Sequence, residues 1–413
     1  MRLPAPLQAR HHPLTADDNA AADAARRGVR IAMVAAEPSG DRLGAGLIEA
    51  IRARAPDSVF IGVGGPRMAT SGCEILFDME RIGVIGLDGL LAKLPDILRI
   101  RRALPARFAE ARAQVFVGID APDFNLALAR RMKRRGVACA HYVSPTVWAW
   151  RGYRIRKIRK SIDHMLALFP FEAEYYRAHR VPVTCVGHPI ADEIAAPDRA
   201  GARRQLGFGD GLLIALLPGS RRSEIRRHSE VFLQAARRIR ERHPEARFIL
   251  PFAGAAAADE FAKIQIANRS SNQSANKDIG DLPLRTVDGG ARLALEACDF
   301  AIVASGTAAL EAALLRRPHI VAYKLAAASH WLMRRLRHVD YYSMPNQLLR
   351  PPMILELIQS HATAENIARI ADQMLRDPAR IAELELRFAD LHRQLKLGAD
   401  ARAADAVLEL ARE

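Results

Sequence analysis

The sequence predicts an α/β chain: two doubly wound domains facing each other across a cleft, with a helical C-terminus. Three observations carry this reading. From residue 29 onward, short β-branched runs alternate with amphipathic helical stretches, an order that builds a parallel sheet covered by helices on both faces. A stretch containing Pro, Asp, Ala and Gly at 195–202 reads as a linker, and a second strand–helix series follows it. Residues 362–413 are nearly all helix formers. A chain of 413 residues accommodates two or three domains, each long enough to bury its own core.

Taken in order, residues 1–28 are rich in Ala, Pro, His and Asp and lack an apolar core of the kind a secretory signal needs. They are expected to form a disordered extension. The first domain, 29–198, has strand-like runs at 29–36, 58–63, 115–120, 137–143, 164–169 and 183–186. Helical stretches lie between them, as at 41–55, where Leu43, Leu47, Ile48 and Ile51 share one face. The second domain, 199–361, has runs at 212–217, 247–251, 299–304 and 319–323. A polar stretch at 268–281 reads as a surface loop inserted among them. In the tail, 362–413, Ile370, Met374 and Ile381 recur at helical spacing.

Composition narrows the function only by exclusion. Lys and Arg number 61 against 46 Asp and Glu, a formal charge of +15, which favours anionic partners without choosing among nucleic acid, anionic lipid and phosphorylated substrates. The apolar half of the chain excludes wholesale disorder. Cys73, Cys139, Cys185 and Cys298 stand tens of residues apart with no CxxC pair, so they read as small buried hydrophobes. No uninterrupted apolar run reaches about 18 residues, so no spanning helix is expected and the chain reads as cytoplasmic. HExxH and Walker A signatures are absent, and neither a metal nor a cofactor is expected.

Ligands of doubly wound sheets bind beyond the carboxyl ends of the strands, so the turns at those ends carry the candidate chemistry. The first strand runs into Ser39, Gly40 and Asp41, a strand-to-helix turn with free N–H groups that fits either a phosphate loop or an ordinary helix cap. The run 115–119 delivers Asp120, followed by Asp123. Helix capping accounts for Asp123; Asp120 has no such local use and is the candidate catalytic base. After the next strand, Trp148 and Trp150 flank one Ala, placed either to stack on a sugar ring or acyl chain or to plug a domain junction. Arg221, after Gly219, suits a diphosphate, although an exposed turn explains it equally. Ser305, Gly306 and Thr307 join a strand to an Ala-rich helix and present N–H groups and a positive dipole to a nucleotide. Glu311, one turn further, is placed to accept both ribose hydroxyls. Leu87, Leu90, Leu91, Leu94 and Leu98 recur at helical spacing beside Arg101 and Arg102. That stretch, which Pro95 is expected to break into two pieces, reads either as core packing or as an anionic-bilayer contact.

Several ordered strings resemble the lipid-A-disaccharide synthases, glycosyltransferases of lipid A biosynthesis. From about residue 30 to the C-terminus these are Glu-x-Ser-Gly-Asp (37–41), Gly-Gly-Pro-Arg-Met (64–68), Gly-Ile-Asp-Ala-Pro-Asp-Phe-Asn (118–125), His-Tyr-Val-Ser-Pro-x-Val-Trp-Ala-Trp (141–150), Pro-Phe-Glu (170–172), Val-Gly-His-Pro (186–189), Leu-Leu-Pro-Gly-Ser-Arg (216–221) and Ala-Ser-Gly-Thr-Ala-Ala-Leu-Glu (304–311). Ala36 stands where the family usually has Gly. The resemblance implies a GT-B-type fold of two Rossmann-like domains and inverting transfer from UDP-2,3-diacylglucosamine to 2,3-diacylglucosamine 1-phosphate (lipid X), giving a β-1,6-linked disaccharide 1-phosphate and UDP. It implies, too, that Asn346, within Ser-Met-Pro-Asn (343–346), lines the nucleotide cleft, and that the enzyme sits peripherally on the cytoplasmic face of the inner membrane. A homodimer that exchanges its C-terminal helices fits this picture; nucleic acid as a partner does not. Two rivals remain: a soluble sugar-nucleotide enzyme such as a UDP-N-acetylglucosamine 2-epimerase, and a non-catalytic lipid- or nucleic-acid-binding protein.

Overall fold

The computed structural model describes residues 28–83, 86–149, 152–270, 282–304, 306–325 and 341–412, with side chains for all of these except 86–92 and 267–270. The expected N-terminal extension and most of the polar stretch at 268–281 therefore lie outside the described residues.

The first sheet is wholly parallel. It is built of β1 (Arg30–Ala35), β2 (Val59–Gly64), β3 (Cys73–Asp78), β4 (Val115–Ile119), β5 (Ala138–Tyr142), β6 (His164–Ala167) and β7 (Val183–Cys185), in the order β3-β2-β1-β4-β5-β6-β7. Its helices are α1 (Pro38–Arg52), α2 (Pro66–Thr70), α3 (Gly86–Glu110), α4 (Pro122–Lys133), α5 (Ile155–Ser161) and α6 (Pro170–Ala178). Both faces are buried, as a parallel sheet requires. Ile31 and Met33 of β1 pack with Leu47, Ile48 and Ile51 of α1 on one side. Ala32 and Val34 pack with Phe108 of α3, Leu128 of α4 and Ile158 of α5 on the other.

Short helices α7 (Pro189–Glu193) and α8 (Arg199–Gln205) carry the chain to the second sheet, so the predicted linker is partly helical. That sheet comprises β8 (Leu213–Leu217), β9 (Arg247–Phe252), β10 (Leu284–Asp288), β11 (Phe300–Val303), β12 (His319–Tyr323) and β13 (Glu356–Ile358), parallel and in the order β10-β9-β8-β11-β12-β13. Around it lie α9 (Arg222–Arg242), α10 (Ala255–Ser270), α11 (Ala291–Ala297), α12 (Gly306–Leu314) and α13 (Met344–Leu348). The tail forms α14 (Ala364–Leu375), α15 (Pro378–Leu395) and α16 (Ala399–Leu410). Rather than standing apart, α16 returns to the first sheet and packs on α1. Arg54, two residues past α1, pairs there with Asp405 at 2.5 Å. One apolar core accordingly runs from β1 through both sheets into the tail.

One expectation fails at α3, which is continuous through Pro95 and Pro105. Proline removes a backbone hydrogen bond from a helix interior. Here Ile97, Ile100, Leu104 and Phe108 bury a face of the same helix, and that burial outweighs the break.

Candidate active site

In each sheet the strand order reverses beside the first strand: β1 lies between β2 and β4, and β8 between β9 and β11. Connections leaving these neighbours run in opposite directions, so a crevice opens at their carboxyl ends. The candidate residues fall at these two places. Asp120 follows β4, Ser39 and Gly40 lie in the first turn of α1 after β1, Arg221 follows β8, and Gly306 and Thr307 open α12 after β11.

Asp120 sits in a strained turn. It has φ 51° and Ala121 has φ 41°, both in the left-handed region, and Val143 at the neighbouring end of β5 has φ 76°. Side chains disfavour that region, a β-branched one most of all, and such outliers gather at functional sites. The Asp120 amide donates to the Tyr142 carbonyl at 2.9 Å, which fixes the turn to β5. Burial raises the Asp120 carboxyl above its ordinary value, opposed by a hydrogen bond from the Ala121 amide. A half-buried carboxylate of raised basicity at a sheet edge is suited to taking a proton. Asp123 does not cap α4 as expected; it lies in the first turn of the helix and pairs with Arg154.

On the second sheet, Gly219 takes φ 125°, and the space that its Cβ would fill is taken by Glu224, whose Cβ lies 2.5 Å from that point. Glu224 accepts the amides of Ser220 (3.0 Å) and Arg221 (3.3 Å) and so shapes the loop. The Arg221 side chain is 72% exposed, with its Nη1 3.8 Å from Glu224 Oε1, and remains able to meet a phosphate. His228 of α9 joins this loop to β12: its Nδ1 lies 2.9 Å from the Pro218 carbonyl, and its Nε2 accepts the Lys324 amide at 3.0 Å. A Cβ on Gly306 would stand 4.0 Å from the Met344 amide nitrogen, an ordinary contact, and Thr307 is exposed. Ser305 lies outside the described residues.

A chain of charges ties the two halves together. Glu311 Oε1 is 3.1 Å from Arg292 Nε, Arg292 Nη2 is 3.2 Å from Glu193, and Glu193 pairs with Arg42 of α1. The pairs thus link α1 to α12 by way of Glu193 in α7 and Arg292 in α11. Glu311 meets the site already paired with an arginine, a partner that spacing alone did not reveal.

Two expectations change, and Trp148 makes the contacts of one of its two readings. Asp41 is not free for a ligand: its buried carboxylate accepts the amides of Gly65 (2.8 Å), Arg67 (3.0 Å) and Met68 (3.1 Å) and so caps α2. Asn346 is 1% exposed, and its amide is spent within the fold, on the Ile354 carbonyl and Glu356 (each 2.8 Å) and on the Met353 and Ile354 amides (each 3.0 Å). Trp148 donates to Glu172 at 3.2 Å and rests edge-on against Phe171 with centroids 4.7 Å apart, as junction packing predicts. Burial pushes the Glu172 carboxyl up to about 8. Trp150 lies outside the described residues.

On the basic stretch, the side chains of Leu87, Leu90 and Leu91 lie outside the described residues. Leu94 is 40% exposed, Arg101 is half-buried and Arg102 exposed. Among the described residues no helix is long and apolar enough to cross a membrane, and no group of three or more His, Cys, Asp or Glu is arranged to hold a metal. All four cysteines are free, three of them buried.

Asn125 and His141 belong to the 118–125 and 141–150 strings, and both are buried against Gly118, with Asn125 bonded to the Asp120 carbonyl. The available signal is a lone amide among Phe124, Leu126, Leu128, Ala129 and Met132, the buried apolar residues of α4.

A family model for lipid-A-disaccharide synthetases matches residues 31–407. The chain is 48% identical to the lipid-A-disaccharide synthase of Alkalilimnicola ehrlichii over 387 residues, 93% of this chain and 99% of that one. It is 45% identical to that of Pseudomonas aeruginosa over 385 residues, 93% of this chain and 98% of the relative. Similar solved structures include a glycosyltransferase from Rickettsia africae (TM-score 0.57, 10% identity, 94% of this chain and 99% of that one). The UDP-GlcNAc 2-epimerase from Neisseria meningitidis bound to UDP-GlcNAc is similar too (TM-score 0.56, 10% identity, 93% of this chain and 99% of that one). At such identity the likeness is one of fold alone.

Proposed function

The chain belongs to the lipid-A-disaccharide synthase family, and on that premise we propose that Asp120 and the turns beyond β8 and β11 carry its transfer reaction. It is a glycosyltransferase that uses a UDP-sugar donor. The donor is UDP-2,3-diacylglucosamine and the acceptor lipid X. The observation that supports these roles best is the strained, half-buried Asp120 at the strand-order reversal of the first sheet, with the exposed Arg221 and the glycine-containing turns at the corresponding reversal of the second.

Asp120 removes the proton from the acceptor 6-hydroxyl as that oxygen attacks the anomeric carbon from the face opposite UDP. The bond to the UDP oxygen breaks in the same in-line displacement, which turns an α-linked donor into a β-linked product. Negative charge develops on the leaving diphosphate, where the N-terminus of α12, opened by Gly306 and Thr307 and preceded by Ser305, and the guanidinium of Arg221 stabilise it. Glu311, oriented by Arg292, accepts the ribose hydroxyls. Asn346 holds the nearby 353–356 segment rather than touching the nucleotide. The exposed Leu94 and Arg102 of α3 bring the crevice to anionic lipid on the cytoplasmic leaflet, where both substrates reside.

UDP release from UDP-2,3-diacylglucosamine, followed with and without lipid X and in the presence of a chelator, tests this reading. Release that requires lipid X and ignores the chelator is the expected result. UDP binding without release in either case would point to the soluble sugar-nucleotide enzymes. A separate measurement addresses Arg221. Arg221→Ala should weaken UDP binding about tenfold by calorimetry, the loss of one charge-assisted hydrogen bond; unchanged affinity removes Arg221 from the phosphate.

A further inference from the structure

We propose that Asn125 is the positioning residue of the Asp120 turn, holding two consecutive left-handed residues so that the carboxylate stays at its working place. The inference rests on the reading of Asp120 as the base.

Neither Asp120 nor Ala121 is glycine, and Ala121 has no polar side chain to offset its φ of 41°. Something beyond the two residues must hold them. Asn125, fully buried in the first turn of α4, directs its Nδ2 at three carbonyls: Asp120 at 2.8 Å, Ile119 at 3.2 Å and Val34 at 3.3 Å. These belong to the strained turn itself and to β4 and β1, the strands that flank the reversal. One amide thereby pins the turn to both central strands. Its acceptor is given up in the process, since Asn125 Oδ1 is buried with no hydrogen-bond partner among the described residues. An amide that served only its own burial would satisfy both ends.

Gly118 makes the arrangement fit. Its absent Cβ would stand 2.8 Å from Asn125 Cβ, 3.0 Å from Asn125 Cγ and 3.2 Å from His141 Nδ1. His141, opposite Gly118 on β5, is buried against the same glycine.

Three variants and one rescue test this. Asn125→Ala should lower kcat about a hundredfold, the cost of misplacing a reacting group by about 1 Å. UDP affinity, set on the second sheet, should stay within about twofold. In an Asp120→Asn background the same change should leave the residual kcat unaltered, because no base remains to misplace. Adding Ala121→Gly to Asn125→Ala should recover about tenfold in kcat, because glycine takes the left-handed conformation without strain. Equal losses in both backgrounds, or a retained kcat in Asn125→Ala, overturn the proposal. Should Asn125→Ala not fold, Gly118→Ala presses on the same amide from the other side; lost kcat with UDP affinity kept supports the proposal, and a retained kcat refutes it. If Asp120→Asn itself stays active, the reading of the base fails; if it is inactive while Asn125→Ala is active, only the positioning role falls.

Discussion

Replacing Asp120 by Asn is expected to cost about a thousandfold in kcat, within the range for losing a positioned general base, while the fold and UDP affinity stay as they were. The structure makes this substitution unusually clean. Asn tolerates a φ of 51° as well as Asp does. The bonds that fix the turn are made by the Asp120 backbone, to the Tyr142 carbonyl and from Asn125, so exchanging one carboxylate oxygen for an amide group leaves them intact. The Ala121 amide that the carboxylate accepts can be accepted equally by the amide oxygen. Turnover within tenfold of the parent enzyme would take Asp120 out of the mechanism.

The pH dependence of the same residue supplies an independent check. Burial raises the Asp120 carboxyl above its ordinary 3.8, so the acid limb of kcat/KM should lie above the usual carboxylate range and vanish from the residual activity of Asp120→Asn. Stability moves the opposite way. With its pKa raised in the folded state, the folded enzyme binds this proton more tightly than the unfolded chain. Its favourable contribution is complete below the unfolded value and is lost as pH rises through the folded one. At pH 7 the ionised Asp120 is therefore a liability to the fold, and Asp120→Asn should melt no lower than the parent.

What the sequence disclosed follows from where each element lies. Central strands such as β1, β4, β8 and β11 are buried on both faces and read as continuous apolar runs. The strands that escaped notice, β3, β10 and β13, are all sheet edges: half-exposed, interrupted by Glu74, Arg285 or Glu356, and in β13 three residues long. Asp120 was legible because a carboxylate ending an apolar run has no local use. Its strain was not, since a left-handed φ at Asp or Ala leaves no mark on residue type. Asp41 looked like a ligand-facing acid for the same reason that Asp120 did. Only the fold brings the Gly65–Met68 turn up to meet it, twenty-four or more positions along the chain. Pairings across many turns of chain, Arg292 with Glu311 at nineteen positions among them, lie beyond any spacing rule.

Asn346 draws the sharpest line between a motif and its physical use. The family string places it in the nucleotide cleft; the structure gives it four hydrogen bonds inside the fold and 1% exposure. Its partner Glu356 also accepts the Ser343 amide (3.0 Å), the Ser343 hydroxyl (2.7 Å) and the Tyr342 amide (2.7 Å), so one amide and one carboxylate organise 341–356 beside β12. Asn346→Ala would leave the Met353 and Ile354 amides buried without this acceptor, and a loss of about 3 kcal/mol is expected, read as a lower urea midpoint at unchanged slope. Asn346→Asp should be worse at pH 7 than at pH 5, because it sets a second carboxylate against Glu356 where a donor now lies at 2.8 Å. Saturating UDP should restore part of either loss by mass action if the nucleotide still binds. A native midpoint with UDP affinity lost would reverse the assignment and put this amide on the nucleotide.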